Sequence, residues 1–257
     1  MKVILGFIIF SIGIFYSIQH LGQSLTQYWD TVAFFMVIFG TISVAIMTLP
    51  SLNLKIILRE LLLSTENFSS RRRKTILNGI DILDGNKPRF VSQRIDYKIM
   101  IDGLELISLG IPPEKIESIL KAKVTNYTDD CMGVANWLRS LAKYPPAFGL
   151  SGTIFGLTQI MRSLAEGANA RETGLGMAIA LVATLYGILT ANFLVSPLGE
   201  RIKNNKEENE TLCEIAIKAI VMKSDGTNPL VAKESVGAYL ISDHKKLSPI
   251  DNSIVGI

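Results

Sequence analysis

The sequence predicts an all-α membrane protein, with four transmembrane helices and a helical cytoplasmic domain. Three observations predict it. Apolar residues make up 48% of the 257 positions before any of the 20 glycines are counted, charged residues only 19%, and mean hydropathy is +0.33. A soluble globular chain averages about 45–50% apolar with glycine included and about 25% charged. Four windows, 3–29, 31–54, 144–161 and 173–199, contain no Asp, Glu, Lys or Arg. Each is long enough for the ~17–25 residues a helix needs to cross the hydrocarbon core. Of the 26 Lys and Arg residues, 15 lie in 51–143 and 8 in 199–257, while the connections 19–31 and 162–172 hold only Arg162 and Arg171. Positive segments stay on the cytoplasmic side, so both termini are expected there. An ordinary soluble enzyme does not fit this pattern.

The elements follow in order. Span one covers about Val3–Ile18 after Lys2. No small-x-small cleavage site follows in SIQHLGQSLT, so a retained span is expected and not a removed signal peptide. Span two covers about Val32–Leu49 and stops at Pro50. The link before it carries Tyr28 and Trp29, rings suited to the membrane interface, and region 1–50 holds this first pair. Region 51–143 turns soluble in composition. There NLKIILRELLL reads as an amphipathic helix that STENFSS breaks. RRRKTILNGIDILDGNKP carries Ile76, Leu77, Ile80, Ile82 and Leu83 at helical spacing, with Gly85 and Pro88 past its end. IDYKIMIDGLELISLG repeats the pattern, and the run from Ile111 opens with prolines at first-turn positions. Region 144–198 forms a hairpin of two spans, about 144–161 and 174–198. Region 199–257 continues as a charged helix Arg201–Glu210, a helix Thr211–Lys223, the turn SDGTNP, a helix Leu230–Ile241 and a tail.

The two pairs of spans differ in kind. The first is rich in Ile, Val, Phe and Met, which suits lipid. In the second, Gly149, Gly152, Thr153 and Gly156 share one helix face, and Gly176, Ala180, Thr184, Gly187 and Ala191 share another. Small faces let backbones approach closely where lipid gives helices no hydrophobic drive to associate. Either the two spans merely pack on each other, or their faces also line a path. Neither contains Asp, Glu, His, Lys or Arg, the usual carriers of intramembrane ion or proton transfer. Any ion conduction therefore needs a carboxylate from a partner. Thr153 and Thr184 then have two readings: coordinating a cation or water, or bonding back to their own helix carbonyls. Pro145 and Pro146 open the third span at first-turn positions where missing amide protons cost little. Pro197 near the end of the fourth is either a plain helix end or a hinge. Cys131 and Cys213 fall in cytoplasmic segments and are expected as free thiols. With His20 and His244 they give no metal-ligand spacing. No catalytic triad or nucleotide loop is present. The chain is expected to be no enzyme, with no metal or cofactor beyond a transported cation and no nucleic-acid partner.

YPPAFGLSGTIFGL (144–157) and GLGMAIALVATLYGILTANFLVSPLGERIK (174–203) resemble the third and fourth spans of the flagellar stator A-subunits, the MotA/PomA group of the MotA/TolQ/ExbB family. EIAIKAIVMKSDGTNP resembles the tail of the same group. The match is specific over about 144–230 and architectural over 1–130. Two early spans fit the stator group better than the ExbB and TolQ energisers, which have one. The resemblance implies a stator A-subunit of the bacterial inner membrane, five copies around two MotB/PomB-like single-span subunits whose aspartate binds the ion. Ion flow would generate torque on the rotor's switch protein. It implies a coupling role for Pro146 and Pro197 and places Thr153 and Thr184 beside the partner's aspartate. Sodium-type relatives carry two adjacent threonines where this chain has Ala183 and Thr184, so the lean is towards H+ over Na+. In the family's rotor-contact motif Asp84 takes the acidic position but Ile76 the basic one. Arg71, Arg72, Arg73 and Lys74 are the nearest cations, and they serve equally well as a topology determinant or a contact with anionic lipid. The alternatives are an ExbB/TolQ-type energiser of an outer-membrane partner and a membrane scaffold with no ion function.

Overall fold

The computed structural model describes residues 2–20, 28–49, 67–167 and 169–241, and among them every regular element is helical. In chain order these are α1 (Lys2–His20), α2 (Thr31–Thr48), α3 (Phe68–Leu83), α4 (Ile95–Ser108) and α5 (Pro113–Leu141). They continue as α6 (Tyr144–Ala165), α7 (Ala170–Leu189), a π-helical turn (Thr190–Val195), α8 (Ser196–Ser224) and α9 (Pro229–Ile241). The amphipathic helix expected at NLKIILRELLL and the tail after Ile241 lie outside the described residues. The chain divides into two compact units, one of Met1–Ile57 with Gly133–Lys203, the other of Leu58–Met132 with Asn204–Ile257.

The first unit is built on the α6–α7 hairpin with α2 laid against it. α7 opens with a capping box. The Asn169 side chain accepts from the Glu172 amide at 3.0 Å, and the Glu172 carboxylate accepts from the Asn169 amide at 3.3 Å. This satisfies two of the amide donors that every helix start leaves over. Asp30 does the same for α2 through the Ala33 amide. α1 and α2 turn Leu5, Ile9, Ile12, Phe39, Ile46 and Met47 outward, an apolar surface too extensive for water alone. α2 and the helical run that starts at Ala170 are both long and apolar enough to cross a bilayer.

The second unit has an aliphatic core. Ile82, Ile99, Met100, Ile116, Leu120, Ile217 and Ile220 cluster between α3, α4, α5 and α8. Ile76, Leu83, Ile215, Ala219, Ala232 and Val236 cluster where α9 packs on α3 and α8. Each fully buried aliphatic side chain contributes about 1.5–3 kcal/mol relative to exposure. Polar ties pin the segment after α3. The Asn78 amide bonds both ways to the Phe90 backbone at 2.9 Å, and Arg89 bonds the buried Asp81 carboxylate through two nitrogens. Cys131 and Cys213 are buried thiols outside any disulfide.

Three boundaries differ from the sequence expectation. α3 begins at Phe68 and takes in FSS, where a break was expected. Arg72 lies 5.9 Å over the Phe68 ring one turn on, a contact that extends the helix backwards. The separate helices expected at Arg201–Glu210 and Thr211–Lys223 are one, because no glycine or proline interrupts 200–224. The fourth span, expected as helix with an end or a hinge at Pro197, widens before that residue into a π turn at Thr190–Val195.

Candidate functional site

The small residues of α6 and α7 meet in register. A Cβ built on Gly149 would lie 2.7 Å from the Ala183 carbonyl oxygen and 3.0 Å from Thr184 Cα. On Gly152 it would lie 2.7 Å from Ala183 Cβ, on Gly156 2.6 Å from Ala180 Cβ, and on Gly187 2.5 Å from the Pro145 carbonyl oxygen. No side chain larger than hydrogen fits at these four positions without parting the helices. Ala183 is therefore sealed in the contact, 2% exposed.

This close approach brings two hydroxyls together. Thr153 Oγ1 lies 2.6 Å from Thr184 Oγ1 and donates across the contact to the Ala180 carbonyl at 2.9 Å. Its own-helix acceptor, the Gly149 carbonyl, is farther at 3.3 Å, and Thr184 Oγ1 is 3.5 Å from the same oxygen. Each hydroxyl has one proton to give. With the Thr153 proton on Ala180, the short hydroxyl–hydroxyl bond must carry the proton of Thr184. The chain then runs from Thr184 to Thr153 to the Ala180 carbonyl. It leaves acceptor capacity on the Thr184 oxygen, which is half-buried.

Both prolines sit at the end of the hairpin nearest α5 and α8. Pro145 and Pro146 lie in the first turn of α6, and Pro146 Cα would be 2.9 Å from a Cβ on Gly187. Gly187 is one turn from Thr184, so the hydroxyl pair and the Pro146 contact are about 4.5 Å apart along α7. Pro197 is the second residue of α8, directly after the π turn. A proline ring clashes with the carbonyl four residues back, and the wider turn relieves it: the Ser196 amide bonds to the Ala191 carbonyl, five residues back. Asn192 covers the Ile188 carbonyl with its side-chain amide at 3.1 Å.

The charged residues singled out in the second unit separate. Arg71 and Arg72 are buried, 4% and 7% exposed, whereas Arg73 is exposed and Lys74 half-buried. Arg71 donates to Glu208 at 3.1 Å and to Asn209, whose amide in turn bonds the Tyr127 hydroxyl at 3.1 Å. Two of the four cations are therefore part of the interior of the unit. Ile76 is fully buried in the α9 cluster, where a cation would lack solvation. Asp84, just past α3, pairs with Lys233 of α9 at 2.6 Å.

Residues 91–215 match the model of the MotA/TolQ/ExbB proton channel family. Over this stretch the chain is similar to that family. It is 32% identical over 143 residues to the motility protein A of Aquifex aeolicus, 56% of this chain and 52% of that protein, so it spans about half the length of this relative. Against the motility protein A of Bacillus subtilis it is 23% identical over 253 residues, 93% of this chain and 88% of that one. Its fold is that of the C. jejuni MotAB structure, with TM-score 0.79, 19% identity, and 97% and 99% of the two chains covered.

Sequence reasoning missed several contacts. Tyr186 of α7 donates its hydroxyl to the Tyr28 carbonyl at 2.5 Å and accepts from the Asp30 amide at 3.1 Å, fixing the start of α2. Trp137 of α5 donates to Thr48 Oγ1 at 3.0 Å. Arg139 of α5 bonds Glu200 of α8 through two nitrogens, at 3.0 and 2.7 Å. The signal available for the last was only an opposite-charge pair 61 residues apart, which a single sequence cannot pick out.

Proposed function

We propose that this chain is the stator A-subunit of a bacterial flagellar motor. In this reading α1, α2, α6 and α7 with its π turn are four spans in the inner membrane, with both termini cytoplasmic. Five copies surround two single-span B-subunits that supply the ion-binding aspartate. The observation that carries the reading is the Thr153–Thr184 pair, held between the charge-free stretches 144–161 of α6 and 173–189 of α7, with acceptor capacity left on Thr184 Oγ1. A protonated carboxyl from the partner donates its proton to that oxygen. When the carboxyl is ionised it accepts instead, and both hydroxyl protons turn towards it. The pair thus meets either state of the partner with a satisfied bond, worth about 0.5–1.5 kcal/mol for the neutral state and about 1.5–3 for the charged one.

Protons suit the site better than sodium. Hard cations take about six oxygen ligands; Ala183 brings no hydroxyl, and its Cβ already fills the slot opposite Gly152. Reversal of the two hydroxyls changes the α6–α7 contact one turn from the Pro146–Gly187 approach, and Pro146 and Pro197 pass that change to α5 and α8. Torque is delivered to the rotor's switch protein through the exposed Arg73 and through Asp84 with its Lys233 partner.

The test is Thr184→Val with the single-span partner co-expressed. Valine keeps the shape and removes the hydroxyl. Partner co-purification should be unchanged, while proton flux into vesicles and tethered-cell rotation fall at least tenfold. Full flux in Thr184→Val would refute the role of the hydroxyl. Motility unaffected by deleting the chain would refute the stator reading and favour an energiser or scaffold.

A further inference from the structure

Two arms of the chain leave the α6–α7 hairpin, and each has a proline at its joint. On one, α5 ends at Leu141 and α6 begins at Tyr144, with Pro145 and Pro146 in its first turn. On the other, the π turn ends at Val195 and Pro197 follows after Ser196. Just beyond these joints the two arms touch. A Cβ on Gly199 of α8 would lie 3.2 Å from the Ala135 carbonyl oxygen, 3.3 Å from Leu138 Cβ and 3.5 Å from Arg139 Cγ, all on α5. Ala135 and Leu138 are buried at this contact. At its rim Arg139 Nε and Nη2 both donate to Glu200 Oε1. Arg139 stands seven residues before Pro146, and Glu200 three after Pro197.

We infer that Arg139 and Glu200 are positioning residues for torque generation, resting on the stator reading above: they yoke the two proline joints into one. With the arms tied beyond both joints, α5 cannot swing at Pro146 without carrying α8 at Pro197. Gly199 sets the distance and the ion pair sets the register. A guanidinium holding one carboxylate oxygen through two nitrogens resists sliding of one helix past the other more than a single bond does. The pair is half exposed, with side chains 37% and 53% accessible, and such pairs contribute little to stability. A loss of torque on breaking it would therefore be mechanical in origin.

The experiment uses the chain co-expressed with its single-span partner in a host lacking its own stator, with Arg139→Glu, Glu200→Arg, Glu200→Gln and the double exchange Arg139→Glu/Glu200→Arg. Three quantities are read: partner co-purification, proton flux in vesicles, and tethered-cell torque. The single reversals should keep co-purification and flux within twofold and lose at least fivefold in torque. Glu200→Gln should lose two- to fivefold, and the double exchange should recover at least half of the wild-type torque. Full torque in the single reversals would overturn the yoke, and so would a double exchange no better than either reversal. Reversals that lose partner binding, with Glu200→Gln at full torque, would make the pair structural and overturn it too. A wild-type chain that neither binds the partner nor passes protons would overturn the stator reading, and the yoke with it.

Discussion

Adding a single methyl group at Gly187 tests how closely the hairpin depends on backbone contact. Its Cβ would meet the Pro145 carbonyl oxygen at 2.5 Å, Pro146 Cα at 2.9 Å and the Pro145 carbonyl carbon at 3.0 Å. All three are main-chain atoms, so no rotamer change can make room. Reaching an ordinary contact near 3.4 Å requires α6 and α7 to part by about 0.9 Å at this end. A gap of that size forfeits about a quarter to a half of each dispersion contact across it, and overpacking of this kind costs about 1–3 kcal/mol. Gly133 in α5 is the matched control, because nothing lies within 4 Å of its Cβ. There alanine should stabilise by about 0.5–1 kcal/mol through its helix propensity. Thermal unfolding of the purified protein in one detergent should thus move in opposite directions for Gly187→Ala and Gly133→Ala. A Gly187→Ala protein as stable as wild type would show that the approach is slack and would remove the steric argument for all four glycines of the stripe.

Other outcomes follow from the second unit. Arg71→Ala removes charge-assisted bonds from a buried guanidinium and should destabilise by about 2–3 kcal/mol, whereas Arg73→Ala on the surface should stay within about 0.5 kcal/mol; equal effects in denaturant unfolding would contradict the division of the basic run. The Arg89 side chain, bonded to Asp81, holds that carboxyl below its usual value near 3.8. The stability this adds is present above that value and lost as pH falls through the lowered one, so Asp81→Asn should flatten the acid limb of a melting-temperature profile, and an unchanged limb would count against the pair. Burial, with a smaller effect of Asp96, pushes the Cys213 thiol well above its ordinary range. It should resist alkylation at pH 8–9 until the protein unfolds; prompt labelling of the folded protein would show the core to be open there.

The parts of this fold legible in the sequence are those set by repetition. Helical spacing of Ile76, Ile80 and Leu83 or of Gly149, Gly152 and Gly156 is a local signal, and it located α3 and the α6 stripe within a few residues. Pro197 told of a weakened helix. It could not tell of a π turn, because whether a proline clash is relieved by kinking or by widening depends on neighbours such as Asn192. The basic run 71–74 divides between interior and surface for a related reason. Consecutive residues on a helix point about 100° apart, so four cations in a row cannot share a face, and the interior claimed Arg71 and Arg72. Contacts set by tertiary structure, such as Tyr186 to Asp30 or Arg139 to Glu200, leave no local trace.

The order of the two threonine hydroxyls has a consequence for how a proton could travel. Passing a proton along hydroxyls by successive hops needs an exit as well as an entrance. Here the last acceptor is the Ala180 carbonyl, which takes a hydrogen bond but has no proton to hand on. The pair is a dead end for transport, a mooring post and not a wire. Under the proposed function, a proton crossing at this level rides on the partner's carboxyl and leaves with it, so conduction would be stepwise, one carried proton per docking event. Isotopic substitution with deuterium should then slow delivery through the docking group's own exchange and motion, with no added penalty from a relay inside α6 and α7.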